Sequence, residues 1–300
     1  MRPFENCSNS ANGSRARFEM AAPRLPYPRS TLVLIGHGST LENGSAASTY
    51  QHAAAIRKLG LFDEVIEAFW KIEPNIANIA SAARSTQVFY VPIFIAEGYF
   101  THEVLPRALG FATPDGFTRT RKLGSQTFHY CEPAGTHPAI TEVVQARARE
   151  VLREYPFPRA PKESDCALIL VGHGTPRNEN SRRAVEEQVI RLRSLNRFGE
   201  VHGTYLEEQP QVRQCYALTK LKNLIVVPFF MSEGLHSHQQ IPVLLGESEA
   251  VVQKRLQQRQ PTWRNPTEKQ GKRVWYSQCV GTDPRVVELI LDRVDERTRN

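Results

Sequence analysis

The chain has 300 residues, more than one hydrophobic core usually serves, so two domains or two halves of one domain are expected. Hydrophobic residues make up 40% and charged residues 23%, which excludes collagen-like and wholly disordered chains. The net charge of +7 suits an acidic small molecule, but the basic residues are scattered without an aromatic-interleaved stripe, so nucleic acid is not favoured as a partner.

Residues 1–28 are rich in Asn, Ser, Gly, Arg and Pro and show no apolar periodicity. We expect them to form a disordered tail outside the fold, without the apolar stretch of a secretory signal. No apolar run in the chain approaches the roughly 20 residues of a membrane helix. The five cysteines include no C-x-x-C pair, which argues against a disulfide scaffold or thiolate metal centre and indicates a reducing, cytoplasmic location.

The rest of the chain carries one pattern twice. Residues 31–39 read TLVLIGHGS, and residues 167–175 read ALILVGHGT. At the same offset VPIF (91–94) corresponds to VPFF (227–230), and EGYFTH (97–102) corresponds to EGLHSH (233–238). Ordered repetition of this kind predicts a duplicated domain, with a first lobe at residues 29–157 and a second at 158–300.

Each half reads as strands alternating with helices. Near-unbroken apolar runs, such as 31–35 and 167–171, are typical of parallel strands buried on both faces. Further strands are predicted at 64–69, 88–95, 127–131, 201–206, 224–231 and 274–279, with closing helices near 139–154 and 284–297. The predicted fold class is α/β, with two tandem doubly wound, mainly parallel sheets and a cleft between them.

One histidine follows the first strand of each half. Ligands of doubly wound sheets bind beyond the carboxyl ends of the strands, where His37 and His173 lie between glycines that let the backbone approach a ligand. A tight strand-to-helix turn with an incidental histidine is the alternative. The occurrence of this histidine at equivalent positions in both halves favours a functional role for it.

A second group of polar residues follows a later strand in each half. His236 and His238 would share one face if the segment were extended, and could then reach one metal ion. Glu97 and Glu233 each add a carboxylate that could bind the metal or take up a proton. Capping of the next helix is the alternative role for both glutamates.

Several common nucleotide and hydrolase motifs are absent from the sequence. It contains no G-x-x-x-x-G-K-[ST], no G-x-G-x-x-G after a strand and no G-x-S-x-G. The sequence therefore lacks the usual signatures of ATP use, dinucleotide binding and serine hydrolysis.

The motifs together resemble the sirohydrochlorin cobaltochelatase family of class II chelatases, in its long tandem form. His173 and His236 match the family's two histidines, with Gln240 where the family usually has Asp. In the first half His37 matches, but Phe100 occupies the second position. His102, two residues further on, is the expected substitute in that half.

The resemblance implies insertion of a divalent metal into sirohydrochlorin or a related tetrapyrrole, without ATP and with no cofactor beyond the substrate metal. Co²⁺ is favoured, and Ni²⁺ and Fe²⁺ remain open. The expected metal ligands are His173, His236, His238, His37 and His102, the expected catalytic residues are His173, His37, Glu233 and Glu97, and the candidate partners of substrate carboxylates are Arg107, Arg177 and Arg182. A monomer with an internal pseudo-dimer, or a weak oligomer, is expected.

Two other functions would also account for some of these residues. A non-catalytic cobalt- or nickel-binding protein, such as a metallochaperone, would need the histidines but not the macrocycle. A histidine phosphatase also places a histidine after its first strand, but Gly36 and Gly172 stand where its phosphate-binding arginine would be.

Overall fold

A computed structural model describes residues 24–39, 44–79, 83–175 and 179–299. The elements of the first half are β1 (Ser30–Gly36), α1 (Ala47–Leu59), β2 (Glu64–Phe69), α2 (Ile76–Ile79), β3 (Gln87–Pro92), a π-helix (Phe100–Val104), α3 (Leu105–Ala108), β4 (Ala112–Thr113), β5 (Gly116–Phe117), β6 (Thr120–Leu123), β7 (Gln126–Tyr130), a 3₁₀ turn (Ala134–Thr136) and α4 (Ile140–Glu154).

The second half repeats this order with small insertions. Its elements are a 3₁₀ turn (Glu163–Asp165), β8 (Cys166–Gly172), α5 (Asn180–Ser194), β9 (Glu200–Tyr205), a 3₁₀ turn (Val212–Gln214), β10 (Asn223–Pro228), a π-helix (His236–Gln240), α6 (Ile241–Leu244), α7 (Glu249–Gln257), β11 (Thr267–Lys269), β12 (Lys272–Tyr276), a 3₁₀ turn (Val280–Thr282) and α8 (Val286–Thr298).

The two five-stranded sheets have equivalent topologies. The strand orders are β2-β1-β3-β7-β6 and β9-β8-β10-β12-β11, parallel except for the last strand of each. β1 and β8 lie inside their sheets and are buried along their whole length, which explains their unbroken apolarity. The predicted α/β fold with two tandem, mainly parallel sheets is confirmed.

The last helix of each half packs on the sheet of the other half. α4 contacts β10 and β12, while α8 contacts β3. Trp275 Nε1 donates to the carbonyl of Tyr155 at 2.9 Å, and Arg293 Nη2 donates to Thr136 Oγ1 at 2.8 Å. One apolar cluster includes residues from both sheets. The predicted bounds 29–157 and 158–300 describe the sequence repeats, whereas the packing joins the two halves.

Part of the predicted tail contacts the fold. Residues 1–23 lie outside the described residues, but Arg24 pairs with Asp292 at 2.6 Å and the ring of Tyr27 stacks on Phe62 at 4.6 Å. Packing contacts are therefore present upstream of residue 29. No helix in the described part of the chain is both long and apolar enough to cross a membrane.

Candidate active site

The carboxyl ends of β1 and β8 place His37 and His173 at equivalent positions. The following residues, Gly38 and Gly174, have φ of +70° and +60°, which glycine adopts without strain. The Nδ1 of His37 lies 2.8 Å from the Gly38 carbonyl, and that of His173 lies 3.1 Å from the Gly174 carbonyl. Because a carbonyl oxygen only accepts, each Nδ1 carries the proton, and each Nε2 keeps a lone pair for a metal or a proton.

In the second lobe, a second imidazole and a carboxylate lie beside His173. Its ring centroid is 5.0 Å from that of His236, with the planes nearly perpendicular. His236 Nδ1 donates to Gln240 Oε1 at 2.5 Å, so its Nε2 is also free for a ligand. Glu207, which follows β9, places Oε1 3.8 Å from His173 Nε2. Imidazole and carboxylate donors suit a divalent transition metal that must later be released.

The donors form an open arrangement. Over the described ranges, no group of three or more His, Cys, Asp or Glu side chains is positioned to hold one metal ion together. The site is therefore an imidazole pair with a neighbouring carboxylate, which leaves coordination positions for an incoming substrate.

His238 does not join this pair. The shared face expected for His236 and His238 requires an extended segment, whereas the segment is a π-helix, in which residues two apart point in different directions. His238 instead lies 3.9 Å from Glu233 and lines a separate pocket of about 310 Å³. The backbone N–H of Cys279 donates to Glu233 Oε1 at 2.6 Å, so this carboxylate anchors the chain just before the 3₁₀ turn at Val280.

In the first lobe, His37 has different neighbours. The ring of Phe100 lies 4.9 Å from that of His37, at the position that His236 has in the second lobe. Lys71 follows β2, at the position that Glu207 has after β9. Burial lowers the pKa of His37, and the Lys71 cation lowers it further, so the imidazole is neutral near pH 7.

His102 does not substitute for the missing histidine of the first lobe. Its Nε2 lies 3.3 Å from Glu97 Oε2, and the other oxygen of Glu97 lies 3.6 Å from Arg119. Phe100, rather than His102, contacts His37. Glu97 lines another pocket, of about 310 Å³, beside α5.

A cavity of about 610 Å³ lies between the lobes. His37 and Lys71 line it from the first lobe, and Glu233 and His236 line it from the second. A volume of this size is typical of sites for small organic ligands. His37 of the first lobe therefore borders the same space as His236, the ring neighbour of His173 in the second lobe.

The arginines predicted near the motifs have different surroundings. Arg182 donates to Glu186 at 2.8 Å and to Glu208 at 3.3 Å, so its charge is already paired. Arg107 is exposed on α3, and Arg177 lies outside the described residues.

Sequence reasoning missed Glu207 and Lys71. Both residues follow the second strand of their half, at the carboxyl edge that also carries His173 and His37. Comparing the two repeats position by position would have identified them, because the same position holds opposite charges in the two halves.

The two mainly parallel sheets, each with a histidine after its first strand, and the cavity between His37 and His236 define a chelatase-like protein. The CbiX family model matches residues 31–151 and 167–297, and the chain belongs to the CbiX family. A Halobacterium salinarum protein, named as a probable sirohydrochlorin cobaltochelatase, is 37% identical over 274 residues, covering 87% of this chain and 89% of that protein.

Solved structures share the fold. A multi-domain Deinococcus radiodurans protein, described as structurally similar to chelatases, aligns with a TM-score of 0.69 and 28% identity over 88% of this chain. The alignment covers 54% of that larger protein. The sirohydrochlorin chelatase SirB from Bacillus subtilis subspecies spizizenii, in complex with cobalt, aligns with a TM-score of 0.61 and 16% identity, covering 91% of this chain and 96% of SirB.

Proposed function

We propose that this protein inserts a divalent metal, with Co²⁺ favoured, into sirohydrochlorin or a related tetrapyrrole without ATP. The observation that carries the proposal is the His173–His236 pair beside Glu207, in which His236 lines the cavity between the lobes. Its presence in a chain 37% identical to a probable sirohydrochlorin cobaltochelatase supports the same chemistry.

The second lobe supplies the metal in this proposal. The Nε2 lone pairs of His173 and His236 hold Co²⁺ by ligands that exchange readily, unlike an all-thiolate cage, and the neighbouring Glu207 carboxylate offsets part of the charge of the ion. The pyrrole nitrogens then replace these protein ligands one after another. The free Nε2 positions are what this transfer requires.

Proton removal completes the reaction. Binding of M²⁺ by the macrocycle releases the protons of both pyrrole N–H groups, so the cavity needs bases near pH 7. His37 is neutral there and has a free Nε2, which makes it the first candidate acceptor. Glu233, which lines the same cavity, is the second. Catalytic roles for Glu97, and metal binding by His37, His102 or His238, stay predictions that this geometry does not favour.

The reaction transfers neither electrons nor a phosphoryl group, so the proposal includes no cofactor beyond the substrate metal. We place the protein in the cytoplasm, in keeping with the free thiols of the four cysteines in the described ranges. The duplicated lobes supply a complete cleft within one chain, so a monomer with an internal pseudo-dimer, or a weak oligomer, suffices.

The test is anaerobic absorbance spectroscopy of sirohydrochlorin with Co²⁺, with and without the protein. We expect the protein to accelerate the spectral change of metal insertion. Tight Co²⁺ binding without acceleration and without macrocycle binding would instead support a metallochaperone, the alternative that the altered first-lobe motif favours.

A further inference from the structure

The two lobes hold the same backbone positions with different side chains. The amide of Lys71 donates to the carbonyl of His37, and the amide of Glu207 donates to the carbonyl of His173, both at 3.1 Å. The side chains at positions 71 and 207 therefore start from equivalent places beside equivalent histidines. The first residue of the π-helix is Phe100 in one lobe and His236 in the other.

These replacements reverse the electrostatic character of the first-lobe site. An ammonium stands where the second lobe has a carboxylate, and a phenyl ring stands where it has an imidazole. Lys71 forms no ion pair with any residue in the described ranges, so its charge is not compensated by the protein there. A divalent cation beside His37 would meet repulsion and a single nitrogen ligand.

The surroundings of Lys71 suit a flat organic anion. Phe100 lies 6.3 Å from Trp70 and 6.2 Å from Phe94, measured between ring centroids, so an aromatic cluster adjoins the histidine. Lys71 and His37 line the cavity whose other side includes His236. A ligand held by the first lobe would thus face His236, one of the two metal donors of the second.

We infer that Lys71 binds a peripheral carboxylate of the tetrapyrrole, so that the first lobe holds the anionic substrate while the second holds the metal. This assignment rests on the proposed function for the identity of the anion. The lysine without an ion-pair partner in the described ranges, the aromatic cluster beside His37 and the cavity shared with His236 carry the assignment of the site. Lys71 acts as a substrate-binding and specificity-determining residue.

The experiment compares Lys71→Glu, Lys71→Gln and Lys71→Arg with wild type. Lys58→Glu, at an exposed position in the last turn of α1, is the control, because it changes the net charge by as much as Lys71→Glu does. Metal-free sirohydrochlorin is titrated into each protein and binding is followed by fluorescence, and the KM for sirohydrochlorin and for Co²⁺ is measured separately.

We expect Lys71→Glu to weaken macrocycle binding by about tenfold or more and to raise the KM for sirohydrochlorin equally, because it removes a charged hydrogen bond. The macrocycle affinity of Lys71→Gln should lie between those of wild type and Lys71→Glu, and that of Lys71→Arg should stay close to wild type. The KM for Co²⁺ should change little in all three variants. Added salt should shrink the difference between wild type and Lys71→Glu. Lys58→Glu should bind as wild type does.

Failure of this inference is distinguishable from failure of the proposed function. Unchanged macrocycle affinity in folded Lys71→Glu and Lys71→Gln, with normal cobalt insertion by wild type, would overturn the carboxylate site alone. Loss of macrocycle affinity in Lys71→Glu, together with no cobalt insertion by the wild-type protein, would keep the anion site and overturn the chelatase. A larger effect on the KM for Co²⁺ than on that for sirohydrochlorin would assign Lys71 to the metal instead.

Discussion

The second lobe pairs His173 with His236 and Glu207, whereas the first lobe surrounds His37 with Phe100 and Lys71. The strand order, the strand-end histidine and the π-helix are the same in both. The difference thus lies in side chains on equivalent scaffolds. In our proposal, duplication supplied two copies of one site, and two substitutions assigned these copies to different reactants.

Making the second lobe resemble the first should have the largest effect. His236→Phe removes one of the two imidazoles and leaves His173 facing a ring that cannot bind metal. We expect the initial rate of anaerobic Co²⁺ insertion to fall about 100-fold. Phe100→His, the reverse change in the first lobe, should not raise the rate, because the Lys71 cation still disfavours a divalent metal beside His37. Substantial activity in His236→Phe would show that the imidazole pair is not the metal centre.

Reversing the charge beside His173 should have an intermediate effect. Glu207→Lys places in the second lobe the cation that the first lobe has, so we expect the KM for Co²⁺ to rise roughly tenfold while the KM for sirohydrochlorin changes little. Glu249→Lys, an exposed change on α7, is the matched control. Equal KM values for Co²⁺ in the two variants would remove Glu207 from the metal site.

The smallest expected effect is on the pH dependence of stability and comes from a contact between the halves. Buried His52 on α1 donates from Nε2 to the Gly281 carbonyl at 2.7 Å, and the equivalent residue on α5, Gln188, accepts from Thr141 at 2.6 Å. Burial lowers the pKa of His52, so below pH 6.5 the unfolded chain takes up a proton more readily than the folded one. Stability should therefore fall as the pH falls from 6.5 through the folded-state pKa.

His52→Gln copies the other half and removes this titration. Between pH 7 and pH 5, its melting temperature should fall a few degrees less than that of wild type, measured by circular dichroism. Some dependence should remain, because burial also lowers the pKa of His37 and of His129. Parallel curves for the two proteins would contradict the role assigned to His52.

Local sequence patterns predicted most of the fold. The buried parallel strands are apolar along their length, and β2 has the predicted bounds. The edge strand β6 is short and largely exposed, so it lacked an apolar signal. The exchange of α4 and α8 between the sheets depends on packing between distant residues, for which a local pattern carries no information.

The sequence predicted candidate site residues where a single strand end defined them. His37 and His173 follow the most apolar strands and could be identified directly. The side chains around them come from other strand ends, so Glu207 and Lys71 were missed. His238 was misplaced because its grouping with His236 assumed an extended segment, whereas the chain forms a π-helix there.

The most direct test of the division between the lobes compares His173→Ala with His37→Ala. For each protein, Co²⁺ binding is measured from the visible absorption of the bound ion, and cobalt insertion into sirohydrochlorin is measured anaerobically. We predict that His173→Ala loses both Co²⁺ binding and insertion, while His37→Ala still binds Co²⁺ but inserts it more slowly. Loss of Co²⁺ binding in His37→Ala, with normal binding and insertion in His173→Ala, would contradict the assignment of the metal to the second lobe.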